Sequence, residues 1–176
     1  MNLRRSTGSF NINLTVREVI DILTEKNLKI AIAESCTGGL ISKLITDIPG
    51  ASNVFECGIC AYSNSIKEKL LSVSSRTLQL HGPVSKETAM EMAANIRNLS
   101  NADIGISTTG YAGPSNPSFN DPVGLVYIGL SNMTKTTFIR LDLARGKNLD
   151  RDYIRTFATY KALLATLDLI KTGVIK

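Results

Sequence analysis

An apolar run, Ile30-Ala-Ile-Ala33, passes without a break into Glu34-Ser35-Cys36-Thr37-Gly38-Gly39 and then into a helical pattern. A short unbroken apolar run of this kind reads as a strand covered on both faces, which helices on either side of a sheet provide. The Ser/Thr/Gly turn that follows presents bare backbone N–H groups at a helix start, a common way for a fold to meet an anion. Ser52, Tyr62 and Lys67 come soon after, at the ends of expected elements where side chains can converge. A hydroxyl, a phenol and an amine beside an anion cradle point to a small hydrolase acting on a phosphorylated substrate.

The remaining pattern alternates. Thr15-Val-Arg-Glu18 spells a capping box, and Val16, Val19, Ile20 and Leu23 follow at helical spacing, so a first helix is expected to end near Asn27. Lys29 to Ala33 is the first strand, Thr37 to Thr46 the next helix, and Val54 to Tyr62 a second strand. Ser63 caps a short helix through Leu71, and Arg76 to Leu80 adds another turn. Ser85 is the N-cap of a helix with Ala89, Met92, Ala93, Ile96 and Leu99 on its buried face. Ile104 to Ser107 is a third strand. Val123 to Leu130 and Thr136 to Leu143 form a hairpin turned at Asn132. A closing helix from about Asp150 to Lys171 carries Tyr153, Phe157, Tyr160, Leu164 and Leu167 on one stripe. Helix–strand alternation followed by a hairpin predicts an α/β fold, a three-layer α/β/α sandwich with a mixed sheet. The expected organisation is a tail at 1–14 and a single domain over 15–176.

Composition removes several function classes. The 176 residues carry no apolar run approaching the roughly 20 a membrane helix needs, so no spanning segment is expected, and three cysteines, an odd count with no secretory signal, make the cytoplasm the expected compartment. The net charge of +5 lies wholly in the C-terminal stretch: residues 1–133 hold 11 basic and 11 acidic side chains, residues 134–176 hold 9 and 4. There Arg145, Lys147, Arg151 and Arg155 alternate with Asp142, Asp150 and Asp152, a mixed-sign surface rather than the dense basic stripe of a nucleic-acid binder. Cys57 and Cys60 spell C-x-x-C, but on a strand residues three apart face opposite ways, so they are expected as small buried residues rather than metal ligands.

Taken in order, Ala33-Glu-Ser-Cys-Thr-Gly-Gly39, Pro49-Gly-Ala-Ser52, Ala61-Tyr-Ser-Asn64 with Lys67, His81-Gly-Pro-Val-Ser85, Thr109-Gly-Tyr-Ala-Gly-Pro114, Pro122-Val-Gly124 and Asp150-Arg151 with Arg155 resemble the C-terminal domain of the CinA family, the nicotinamide-nucleotide amidases. The resemblance spans about Thr15 to Ile170 and has the look of the stand-alone form. It implies hydrolysis of the carboxamide of nicotinamide mononucleotide to nicotinate mononucleotide and ammonia, with no metal or other cofactor, in a homodimer or larger homo-oligomer. It also implies a catalytic set that falls here on Ser52, Tyr62 and Lys67, with Thr109 and Arg151 as further site residues. The chain departs from the family pattern at Tyr111, at Ser115 to Asp121, and at Leu149.

The residues themselves bear on that chemistry. Amide hydrolysis needs a nucleophile, a proton acceptor and oxyanion donors. With one histidine, His81, beside a Gly-Pro turn, Ser–Lys catalysis is the natural alternative to a triad. A free lysine has a pKa near 10.4, and lowering it by about 3 units costs on the order of 4 kcal/mol. The start of the Ser63-capped helix contributes about 0.3–1 kcal/mol, so desolvation must supply the rest. Tyr62 is placed to relay the proton between Ser52 and Lys67. Ser35 is the competing nucleophile, in a turn lacking the G-x-S-x-G pattern. Glu34, Ser35, Thr37, Gly38 and Gly39 are assigned to cradling substrate, with Thr109 and Gly110 on a second turn. Arg151 is the candidate for the phosphate and Arg145 its rival. A pocket that binds a pyridine nucleotide without turning it over is the second reading.

Overall fold

The run at residues 30–33 lies inside the sheet, buried along its whole length. In the computed structural model, which describes residues 11–114, 122–143 and 149–173, β1 (Ile30–Glu34) is flanked by β2 (Phe55–Cys60) and β3 (Ile104–Gly110), both parallel to it. The sheet continues antiparallel through β4 (Leu125–Ser131) and β5 (Thr136–Asp142), giving the order β2-β1-β3-β4-β5. Asn132 makes the hairpin turn, its Oδ1 accepting from the amides of Thr134 and Lys135.

Helices cover both faces. On one lie α1 (Ile12–Glu25), α2 (Leu40–Thr46) and α6 (Arg151–Thr172). Their Val19, Leu23, Ile41, Ile45 and Ile154 pack against Ile30, Ile32, Ile106 and Ile128. On the other lie α3 (Asn64–Leu71), α4 (Ser75–His81) and α5 (Lys86–Ser100), whose Leu71, Leu78, Met92 and Ile96 pack on Ala31 and Ala33. Period-two alternation thus sends the isoleucines of β1 to one face and its alanines to the other. The expected three-layer sandwich with a mixed sheet is the fold observed.

Small residues let α5 sit directly on the strands. A Cβ at Gly105 would lie 2.1 Å from the Ala93 carbonyl oxygen, and one at Gly129 2.1 Å from that of Ala89. Ser107 Oγ donates to the same Ala89 carbonyl at 2.6 Å. Gly129→Ala should therefore force helix and sheet apart, lowering unfolding stability by about 1–3 kcal/mol as read from the urea midpoint.

Several local expectations need correction. The first helix is capped by Asn11, whose Oδ1 accepts from the Leu14 amide. Thr15 lies inside the helix with its hydroxyl on the Asn11 carbonyl, so the box with Glu18 does not form. The helix expected from Thr37 begins only at Leu40, because Gly38 and Gly39 both take positive φ. Leu99 is 58% exposed. The face α6 buries runs through Ile154, Ala158, Ala162 and Leu163, while Tyr153, Phe157 and Tyr160 sit half-exposed beside it. On β2, Cys57 is half-buried and Cys60 is exposed rather than buried. No helix among the described residues is long and apolar enough to cross a membrane.

Candidate active site

Glu34 at the end of β1 pairs with Cys60 at the end of β2 and with Thr108 of β3, which runs two residues further to Gly110. From β1 the chain leaves over one face into α2, and from β2 over the other into α3, so the backbone parts at this edge and opens a crevice. A cavity of about 230 Å³ occupies it, with Ser35, Tyr62, Lys67, Thr109, Gly110 and Arg151 in its lining.

Lys67 is the unusual group. It stands in the first turn of α3, whose N-cap Ser63 accepts from the Ile66 amide. Its side chain runs inward until the residue is 1% exposed. The Nζ donates to the Ala61 carbonyl at 2.7 Å and to Ser35 Oγ at 3.0 Å, with the Tyr62 carbonyl 3.5 Å away. Desolvation lowers its pKa to about 8, against a smaller opposing effect of the Cys36 and Cys60 sulfurs. A neutral amine has two N–H groups and one lone pair. With two carbonyls taking the N–H groups, the lone pair is left for the Ser35 hydroxyl. This geometry makes an alcohol with a base already in place.

Ser35 owes its position to the strand end. Its amide donates to the Thr108 carbonyl at 3.0 Å, continuing the β1–β3 ladder by one residue. The next residue, Cys36, is buried, and its thiol is pushed up to about 12, so it does not compete as a nucleophile.

Ser52 does not join this group. It is exposed in the 3-10 turn at Ala51–Asn53, before β2, whereas Tyr62 and Lys67 come after that strand. Six residues of β2 at about 3.3 Å each set Ser52 roughly 20 Å from the amine, beyond the opposite end of that strand. Tyr62 is at the cavity, but 67% exposed at its mouth. Its phenolic oxygen accepts from Arg151 Nη2 at 3.2 Å rather than bridging Lys67 to a serine.

The anion cradle is filled by the chain itself. Glu34, fully buried, turns its carboxylate under the loop. Oε1 accepts from the Ser42 amide and hydroxyl at 2.9 and 2.7 Å. Oε2 accepts from the Ile41 amide at 3.2 Å and the Thr37 hydroxyl at 2.7 Å. Thr37 is buried against Thr108, and its carbonyl accepts from Arg155 Nε and Nη2. A Cβ at Gly38 would come within 3.0 Å of that guanidinium. Glu34, Thr37, Gly38 and Gly39 are therefore absent from the cavity lining, and the start of α2 is already satisfied by a carboxylate.

Of the other expected contacts, Thr109, Gly110 and Arg151 line the cavity. The Thr109 hydroxyl donates to the Pro83 carbonyl at 2.6 Å, fixing the wall made by Pro83 and Val84. Arg151 Nη1 donates to the Gly113 carbonyl at 2.7 Å, so this guanidinium joins the segment after β3 to Tyr62 after β2. Arg145 lies outside the described residues. Sequence reasoning did not assign the Arg155 clamp or the Asn64, Pro83, Val84 and Tyr111 lining, although all five residues stand in the motifs that carry the resemblance.

A layered α/β domain whose crevice holds a buried amine on a serine hydroxyl defines the class. The chain belongs to the CinA C-terminal domain family, whose model matches residues 13–170. It is 49% identical over 153 residues, 87% of its length, to a protein of Caldanaerobacter subterraneus named for competence-damage induction. It is 41% identical over 157 residues to a CinA-like protein of Dictyoglomus turgidum. The chain spans 35% and 36% of those two relatives' lengths. Among solved structures, the competence damage-inducible protein A of Klebsiella pneumoniae superposes with a TM-score of 0.88 at 27% identity, covering 94% of this chain and all of that one. The competence/damage inducible protein CihA of Agrobacterium tumefaciens gives 0.85 at 32% identity, covering 96% and 100%.

Proposed function

We propose that this protein is a serine amidohydrolase that converts nicotinamide mononucleotide to nicotinate mononucleotide and ammonia, with Ser35 as nucleophile and Lys67 as general base. The observation that carries the reading is the 3.0 Å contact between a buried, pKa-lowered lysine and a serine hydroxyl at the cavity floor. Ser35 Oγ attacks the carboxamide carbon as its proton passes to Lys67 Nζ. The tetrahedral oxyanion collapses, the C–N bond breaks, and the ammonium returns the proton to the leaving nitrogen, which departs as ammonia. Water then attacks the acyl-serine ester, giving its proton to Lys67, which passes it to Ser35 Oγ as the C–O bond to Ser35 breaks and the acid is released to ionise to the carboxylate. No step calls for a metal.

Arg151 at the cavity mouth suits the substrate's phosphate, being a planar fork with donors beyond those used by Gly113 and Tyr62. Arg151→Ala should raise KM for the mononucleotide by about 10- to 100-fold, the loss of a charge-assisted hydrogen bond. The same substitution should leave the riboside, which lacks the phosphate, nearly unaffected.

The reading is tested by incubating the purified protein with nicotinamide mononucleotide and measuring ammonia and nicotinate mononucleotide together. Equal amounts of both, rising with enzyme concentration, support it. Saturable binding with neither product would instead assign the cavity to nucleotide binding alone.

A further inference from the structure

Glu34 has no place in the reaction just described, yet it is a fully buried carboxylate one residue from the nucleophile. Among the described residues no Lys, Arg or His forms an ion pair with it. All four hydrogen bonds to its carboxylate come from the turn and helix start it underlies: the Thr37 hydroxyl from the turn, and the Ile41 amide and the amide and hydroxyl of Ser42 from the first turn of α2. Gly39, at the N-cap position of α2, has no side chain to cap with. The capping comes instead from the strand residue that precedes the loop, so the carboxylate closes residues 34–42 into a ring of hydrogen bonds containing Ser35.

Resting on the amidase reading, we infer that Glu34 is a positioning residue that holds the Ser35 hydroxyl against Lys67 by capping α2 from beneath the nucleophile turn. The ring is fixed from outside by two further contacts, Thr37 with Thr108 on β3 and the Thr37 carbonyl with Arg155 on α6. Strand end, turn and helix start therefore move as one body. A carboxylate suits the task because all four partners can donate and it only accepts. An amide in its place would turn N–H₂ toward either the Ile41 or the Ser42 backbone N–H, which cannot reverse. The loop must then shift, and a displacement of about 1 Å at a reacting atom costs on the order of 10²-fold in rate.

The test uses a fluorophosphonate probe, which forms an Oγ–P bond to the activated serine and releases fluoride while the hydroxyl proton passes to Lys67. Glu34→Gln should label at Ser35 between about 10- and 100-fold more slowly than wild type. Final stoichiometry should be full, kcat should fall in step, and KM for nicotinamide mononucleotide should stay within about threefold. Ser131→Ala, a hydrogen-bond loss at the far end of β4, controls for general loosening and should label at the wild-type rate. Equal rates in Glu34→Gln and wild type, or matching losses in Ser131→Ala, would overturn the assignment. If Glu34→Gln yields no folded protein, Ser42→Ala decides the matter by removing one donor: slower labelling at full stoichiometry supports the role, and an unchanged rate overturns it. A wild-type protein that neither labels nor releases ammonia overturns the amidase reading itself, a result distinct from any of these.

Discussion

Ser35→Ala should abolish ammonia release from nicotinamide mononucleotide, with a fall in kcat of at least about 10³-fold, while Ser52→Ala should keep nearly wild-type activity. The contrast follows from position. Ser35 Oγ is 3.0 Å from the Lys67 amine, whereas Ser52 is exposed in a turn at the other end of β2. Alanine at position 35 removes the attacking oxygen but leaves the Thr108–Ser35 backbone bond, so the fold should survive. Substrate should still bind, with dissociation constants near the wild-type KM by calorimetry. Loss of activity in Ser52→Ala with retention in Ser35→Ala would refute the mechanism outright.

The second large effect is on pH. Lys67 acts when neutral and its pKa is about 8, so kcat/KM should fall tenfold per unit as pH drops below that value. It should level off above it, until other groups titrate. The stability consequence has the opposite origin. Burial lowers the folded-state pKa from 10.5 to about 8, so between those values the unfolded chain binds more protons than the native one. Stability contributed by this group therefore rises with pH across that window and is lowest below about 8. Lys67→Met lacks the titrating group. Measured by thermal unfolding, the difference between wild type and variant should shift in favour of wild type as pH goes from 7 to 10, while the variant is inactive throughout. An unchanged difference would mean the lysine is not desolvated.

The layers were readable because their signals are local. The buried run at 30–33, the Ser63 and Ser85 caps and the Asn132 turn each specify one element through nearby residues. Lys67 and Arg151 could also be placed, since each sits in the opening turn of a helix whose start was legible. The nucleophile was harder. Ser35 and Ser52 both follow an apolar or Gly-rich cue and precede β2, and only the parallel pairing of β1 with β2 shows which serine shares an edge with Lys67. The Gly38-Gly39 turn misled for a related reason. A helix start with no side-chain cap resembles an anion site, but the anion that fills it is Glu34, seven residues before Ile41. Long-range register and self-occupation leave no local mark in a sequence.

Lys67 Nζ meets two carbonyls and a hydroxyl, and among the described residues no carboxylate pairs with it. Its proton affinity is thus governed mainly by depth, with the Cys36 and Cys60 sulfurs opposing it. The loop bearing Pro83 and Val84, braced by Thr109, and the Tyr62–Arg151 bridge act as weatherproofing for the amine. A protein built this way can retune its working acidity from the rim, by admitting or shutting out a few waters, without changing a single reacting atom.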